Sequence, residues 1–101
     1  MEFKAHRTPD AVEARLTGRM EFTDHDRLRD IVGLIEDIRG QRFVVDLSGL
    51  EFIDSAGLGM LLILQEEAES RNIPMTVRGA RGDVRRSIDL ARLGDIITLA
   101  D

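Results

Sequence analysis

Phe43-Val44-Val45-Asp46-Leu47 is short, rich in β-forming residues and almost continuously apolar, and it is followed by Ala56-Gly57-Leu58-Gly59-Met60-Leu61-Leu62-Ile63-Leu64. The first run has the composition of a strand covered on both faces. In the second, Leu58, Leu61, Leu62, Gln65 and Ala68 share one helical stripe, which Met60, Ile63 and Leu64 widen. That spacing predicts a helix from Ala56 to about Arg71, heavily buried in its first half. Asn72 can take the left-handed conformation that ends it. A buried strand feeding an apolar helix is the building unit of α/β sheets.

Working outward toward the N-terminus, Leu28, Ile31, Val32, Ile35 and Ile38 recur at three- and four-residue intervals, the signature of a helix from about Asp24. Thr23 or Asp24 can cap it, Asp26 lies in its first turn, where the dipole favours negative charge, and Gly40 closes it. Before it, Met1, Phe3 and Ala5 alternate with charged residues, Thr8-Pro9-Asp10 offers turn chemistry, and Val12, Ala14 and Leu16 alternate again up to Gly18. This predicts a hairpin. Toward the C-terminus, Met75-Thr76-Val77 reads as a strand, and Asp83 caps a helix carrying Val84, Ser87, Ile88 and Ala91 that stops at Gly94. Ile96-Ile97-Thr98-Leu99 reads as a last strand. The expected order is β-β-α-β-α-β-α-β: a mostly parallel sheet with an N-terminal hairpin pair and three to four helices, one α/β domain over residues 1–101.

Composition narrows the function. With 101 residues there is one core and no room for two. Fourteen basic residues against 19 acidic ones, a net charge of -5, argue against generic nucleic-acid binding and leave an anionic membrane nothing to hold. No cysteine is present, so disulfides, thiol catalysis and cysteine-ligated metals are excluded, in keeping with a reducing cytoplasm. No apolar stretch approaches the ~20 residues of a spanning helix, and the charged, alternating start is not that of a signal peptide.

The segment that folding alone leaves unexplained runs from Asp46 to Gly59. Beyond the carboxyl ends of strands is where α/β sheets place function. Asp54 and Ser55 stand at a helix start, where unpaired amides form an anion site. Either Ser55 or Asp54 can serve there as an N-cap, and a phosphate attached to the serine is partly stabilised by the same amides. Gly57 and Gly59 each cost about 1 kcal/mol of helix propensity relative to alanine. Glycine permits close approach of another backbone or of a partner protein, while packing of the helix on its own sheet accounts for at least one of the two.

Asp46-Leu47-Ser48-x-Leu50-x-Phe52-Ile53-Asp54-Ser55-Ala56-Gly57-Leu58-Gly59 closely resembles the signature of STAS domains, the sulfate-transporter and anti-sigma-factor-antagonist family. Gly18-Arg19-Met20-Glu21-Phe22-Thr23-Asp24 resembles that family's segment between the second strand and the first helix. The resemblance implies a stand-alone bacterial anti-sigma factor antagonist, cytoplasmic and without catalysis, cofactor or metal of its own. Ser55 is then the serine phosphorylated by a cognate kinase that also acts as anti-sigma factor, and a PP2C-type phosphatase removes the phosphate. The unmodified form binds the kinase and frees its target; the phosphorylated form lets go. The partner surface implied is the start of the second helix, Asp54, Ser55, Ala56, Gly57 and Leu58, flanked by Ser48 and Gly49 and by Thr23 and Asp24. Leu58 and Met60 fit the core as well. Ala56 stands where many relatives carry serine, which leaves Ser55 as the site's hydroxyl.

Other chemistries fit less well. The motif is not Gly-x-Ser-x-Gly, and nothing in the spacing brings His6 or His25 to Ser55, so serine hydrolysis lacks its base. Asp24-His25-Asp26 are consecutive and point in different directions on a helix. Gly57-Leu58-Gly59 lacks the third glycine of a nucleotide fingerprint, where Leu62 stands. Arg78, Arg81, Arg85 and Arg86 read as a solvated face around a turn, with capacity to hold an acidic partner. The alternative from a different class is a constitutive STAS accessory subunit bound to the ATPase of a lipid-transport ABC complex; another is an antagonist acting on a cyclase or other signalling enzyme.

Overall fold

The computed structural model describes residues 1–100. Its elements are β1 (Glu2–Arg7), β2 (Ala11–Met20), a 3-10 turn (Phe22–Asp24), α1 (His25–Glu36), β3 (Arg42–Ile53), α2 (Ser55–Glu69), β4 (Met75–Arg78), α3 (Gly82–Leu90), a second 3-10 turn (Leu93–Asp95) and β5 (Thr98–Ala100). The expected element order is the observed one. A five-stranded sheet runs β1-β2-β3-β4-β5, with β1 antiparallel to β2 and the rest parallel. Thr8 closes the hairpin as the turn chemistry predicts: its N–H donates to the Ala11 carbonyl at 2.8 Å and its hydroxyl accepts from the N–H of Ala11 at 3.0 Å.

β2 alternates as the sequence requires, whereas β3, expected to be covered on both faces, buries Val44 on the face away from the core but leaves Asp46 half-buried there. Val12, Ala14 and Leu16 of β2, Phe43, Val45 and Leu47 of β3, and Met75 and Val77 of β4 enter the core. They meet Leu28, Ile31 and Ile35 from α1, Met60, Leu61, Leu64 and Ala68 from α2, and Val84 and Ile88 from α3. Glu13, Asp46 and Arg78 lie on the other face, where Arg78 Nη2 reaches Glu13 Oε2 at 2.6 Å and Asp46 Oδ2 at 3.5 Å. Part of the expected basic patch is therefore an ion-pair network.

The expected boundaries shift in several places. β2 runs through Gly18 to Met20, because Arg19 and Met20 still pair with Phe52 and Ile53, and α1 ends at Glu36, before Gly40, where the Asp37 N–H turns back to the Leu34 carbonyl at 3.2 Å. The central strand extends past Leu47 to Ile53, because β3 pairs its twelve residues with the ten of β2. The surplus is taken up where Arg15 and Thr17 oppose Asp46 and Gly49, and where Gly18 and Arg19 oppose Leu50 and Phe52. Each is a β-bulge, which adds a residue and bends the strand. α3 starts two residues earlier than expected: Arg81, not Asp83, holds the N-cap position and Asp83 lies in the first turn. The helix also ends before Gly94, and Arg92 takes the left-handed conformation (φ 58°) in front of the second 3-10 turn. The last strand begins at Thr98, since Ile97 is drawn into the core while Ile96 stays exposed. Asn72, with φ 57°, follows α2 in the expected left-handed conformation.

Candidate functional site

Parallel β3 and β4 place the start of α2 at one pole of the sheet, beside the turn that follows β2. Asp54 is the N-cap of α2, in extended conformation, and Ser55 is the first helical residue. The carboxylate of Asp54 joins two segments. Its Oδ1 accepts from the Gly57 N–H at 2.8 Å and its Oδ2 accepts from the Phe22 N–H at 3.3 Å. Its own N–H donates to the Met20 carbonyl at 3.2 Å. With Asp54 in the capping role, the Ser55 side chain is released from it and stands exposed.

The two glycines have different duties. A Cβ on Gly57 would lie 2.5 Å from the Met20 carbonyl oxygen and 2.7 Å from Ile53 Cγ1; a Cβ on Gly59 would meet nothing within 4 Å. Gly57 is the residue that lets α2 sit against β2 and β3, and it is buried. Ala56 and Leu58 are half-buried, and Met60 belongs to the core.

On the neighbouring turn, Thr23 is exposed and Asp24 is buried. Asp24 does not cap α1 through its side chain. Its Oδ2 accepts the Glu21 N–H at 2.7 Å and its Oδ1 pairs with the Met1 ammonium at 2.9 Å. Burial pushes its carboxyl upward, but the hydrogen bonds from that ammonium and from Glu21, with the charges of the ammonium and Arg27, hold it below the usual carboxylate value. Asp24 therefore fixes the turn as an anion.

Ser48 and Gly49 are set apart from this cluster. They lie within β3, five and four residues before its end, and five strand residues span roughly 16 Å. The Ser48 N–H donates to Asp46 Oδ1 at 2.8 Å, and the Ser48 carbonyl accepts from Arg81 Nη2 at 2.7 Å. Of the expected partner surface, the structure thus joins Asp54 to Leu58 with the turn carrying Thr23 and Asp24, and places Ser48 and Gly49 on a separate flank toward α3.

Two features of this pole escape the sequence reasoning. Phe22 is 67% exposed, and the ring of His25 meets it edge-on with centroids 5.0 Å apart. Arg19, bonded to Glu21 at 2.7 Å, lies over the Phe52 ring at 4.1 Å. The available signal for Phe22 was that it falls outside every apolar period in the chain. Among the described residues no three His, Asp or Glu side chains converge as metal ligands. A hollow of about 740 Å³ lies at the opposite pole between the ends of α1 and α2 and the start of β3.

The family model described as Mlab, STAS domain matches residues 3–99. The chain belongs to the STAS-domain family. A STAS-domain containing protein of Pseudomonas aeruginosa (strain UCBPP-PA14) is 28% identical over 86 residues, 85% of this chain and 84% of that one. An anti-sigma factor antagonist from Mycobacterium paratuberculosis superposes with TM-score 0.83 at 25% identity, covering 97% of this chain and 83% of that one. The anti-sigma factor antagonist SpoIIAA in its unphosphorylated form gives TM-score 0.79 at 22% identity, over 99% and 89%. The phosphorylated form of that Bacillus cell fate determinant gives 0.71 at 20%, over 99% and 92%. In this STAS domain the family's central motif spans the second half of β3, the Asp54 cap and the first turn of α2.

Proposed function

We propose that this STAS domain is an anti-sigma factor antagonist of the partner-switching kind, a substrate and switch without catalysis of its own. The observation that carries the proposal is the exposed Ser55 hydroxyl at the first position of α2, free of the capping role that Asp54 performs. Likeness to anti-sigma factor antagonists, one of them known in unphosphorylated and phosphorylated forms, supports the same reading. The unmodified protein binds a serine kinase that doubles as anti-sigma factor; phosphorylation of Ser55 releases it; a PP2C-type phosphatase resets it.

A phosphate at Ser55 adds about -1.5 to -2 charges. The helix N-terminus returns about 0.3–2 kcal/mol to a negative group. The Asp54 carboxylate, held beside it by Gly57 and Phe22, opposes it. Within a docked interface an uncompensated charge costs about 2–5 kcal/mol, and ~3 kcal/mol weakens binding about a hundredfold. No change of fold is required.

A second reading is favoured by the Mlab description of the matching family model: a constitutive accessory subunit on the ATPase of a lipid-transport ABC complex. One experiment separates the two. A candidate kinase and ATP are expected to label the wild type and leave Ser55→Ala unlabelled, while Ser55→Ala still binds the kinase and Ser55→Glu binds about a hundredfold more weakly. Equal labelling of Ser55→Ala removes the site, and a stable ATPase complex indifferent to Ser55 phosphorylation favours the second reading.

A further inference from the structure

The pole that carries Ser55 also exposes apolar surface that the fold does not use. Phe22 is 67% exposed, yet its backbone is tied to Asp54 Oδ2 at 3.3 Å and its ring is braced by His25. An aromatic held in this way offers a large contact area with little side-chain freedom to lose, the property that makes aromatic residues interface anchors. On α2, Ser55, Gly59 and Ile63 follow at four-residue intervals and share one face. Ile63 is 43% exposed. Gly59 lowers helix propensity although a Cβ there would meet nothing, so packing within this chain does not ask for a glycine.

What covers this face follows from the chemistry of Ser55. An enzyme that transfers a phosphoryl group to the Ser55 hydroxyl must bring its nucleotide to that oxygen. A standard interface covers about 800 Å² of each partner, a disc of roughly 16 Å radius. Helical rise sets Gly59 about 6 Å and Ile63 about 12 Å along α2 from Ser55. Phe22 is one hydrogen bond from Asp54. All three fall inside the footprint. We infer that the serine kinase that modifies Ser55 docks on a strip formed by Phe22, Ser55, Gly59 and Ile63, with the phenyl ring of Phe22 seated in an apolar slot and the kinase backbone approaching α2 at Gly59. This inference rests on the switch reading above.

Leu90 and Ile96 supply an internal contrast. They are 75% and 60% exposed, but the topology puts the end of α3 and the segment before β5 at the opposite pole. The wild type is first shown to be labelled at Ser55 by the purified candidate kinase with ATP. Affinity for that kinase is then measured with a non-hydrolysable ATP analogue. Phe22→Ala and Gly59→Leu are each expected to weaken binding at least tenfold, with Phe22→Leu intermediate, while Leu90→Ala and Ile96→Ala stay within twofold. Thermal midpoints at or above wild type for Gly59→Leu, and unchanged for Phe22→Ala, separate lost docking from lost folding. If the wild type is labelled but Phe22→Ala and Gly59→Leu bind within twofold of it, or Leu90→Ala is just as damaging, the strip is wrong and the switch stands. If the candidate kinase leaves Ser55 unlabelled, the switch reading fails and this docking partner fails with it.

Discussion

Alanine at position 57 and alanine at position 59 are two residues apart in one helix, and the structure assigns them opposite signs. Both changes restrict the unfolded chain equally, so that contribution cancels in the comparison. At position 59 the new methyl meets nothing, and the gain in helix propensity is about 0.8–1 kcal/mol. At position 57 the methyl would lie 2.5 Å from the Met20 carbonyl oxygen, where ordinary contact begins at 3.4 Å. That oxygen belongs to β2 and accepts the Asp54 N–H at 3.2 Å, so it cannot swing aside as a side-chain tip would. Relief requires the first turn of α2 to slide off the sheet, which stretches the Asp54 hydrogen bond as well. Overpacking of this kind costs about 1–3 kcal/mol, here at the upper end because the obstacle is backbone, and the strained hydrogen bond adds about 1 kcal/mol. After the propensity gain of about 1 kcal/mol, Gly57→Ala loses roughly 2–3 kcal/mol. For a domain of this size each 1 kcal/mol shifts the thermal midpoint by about 4–8 °C, so Gly59→Ala should melt roughly 4–8 °C above wild type and Gly57→Ala roughly 8–24 °C below it. Far-UV circular dichroism during heating, with urea titration in parallel, reads both. A midpoint for Gly57→Ala at or above wild type, or a lowered one for Gly59→Ala, would refute the division of labour between the two glycines.

Two further outcomes follow from the carboxylates. Asp54→Ala should cost about 1–2 kcal/mol as a lost N-cap, with Asp54→Asn recovering most of it; hydrogen exchange should speed up at the amides of both Gly57 and Phe22, and unchanged protection at Phe22 would contradict the link between the segments. Asp46 is raised by burial but held below the ordinary value of 3.8 by hydrogen bonds from Ser48 and the charges of Arg78 and Arg15. A carboxyl lowered in the folded state contributes stability that is present above its unfolded value and lost as pH falls through the folded one. Stability measured from pH 5 downward should therefore fall less steeply in Asp46→Asn than in wild type, and equal slopes would remove Asp46 from the acid response.

The sequence was most informative where one periodicity runs unbroken. Val12-Ala14-Leu16 and Leu28-Ile31-Ile35 declare a strand and a helix because each side chain's burial follows from its position alone. β3 was cut short because its bulges change the period: the buried residues step from Phe43, Val45 and Leu47 to Leu50 and Ile53, a pattern belonging to no regular element. At the site, the family motif pointed to Ser55 and left the cap open between Asp54 and Ser55. The carboxylate geometry resolves it, since one side chain reaches both Gly57 and Phe22. The sequence could not distinguish Gly57 from Gly59, because the difference lies in Met20, thirty-seven residues earlier than Gly57 and adjacent only in space.

The strands lie in the sheet in the order in which they occur in the chain. No strand has to be inserted between two that are already paired, so each one can add to a completed edge as synthesis proceeds. The contacts that shape the serine's surroundings, Met20 to Asp54, Phe22 to Asp54 and Asp54 to Gly57, all lie between residues 20 and 57. The latch around Ser55 can therefore close while the last third of the protein is still being made, and β4, α3 and β5 then build outward from a pole already set.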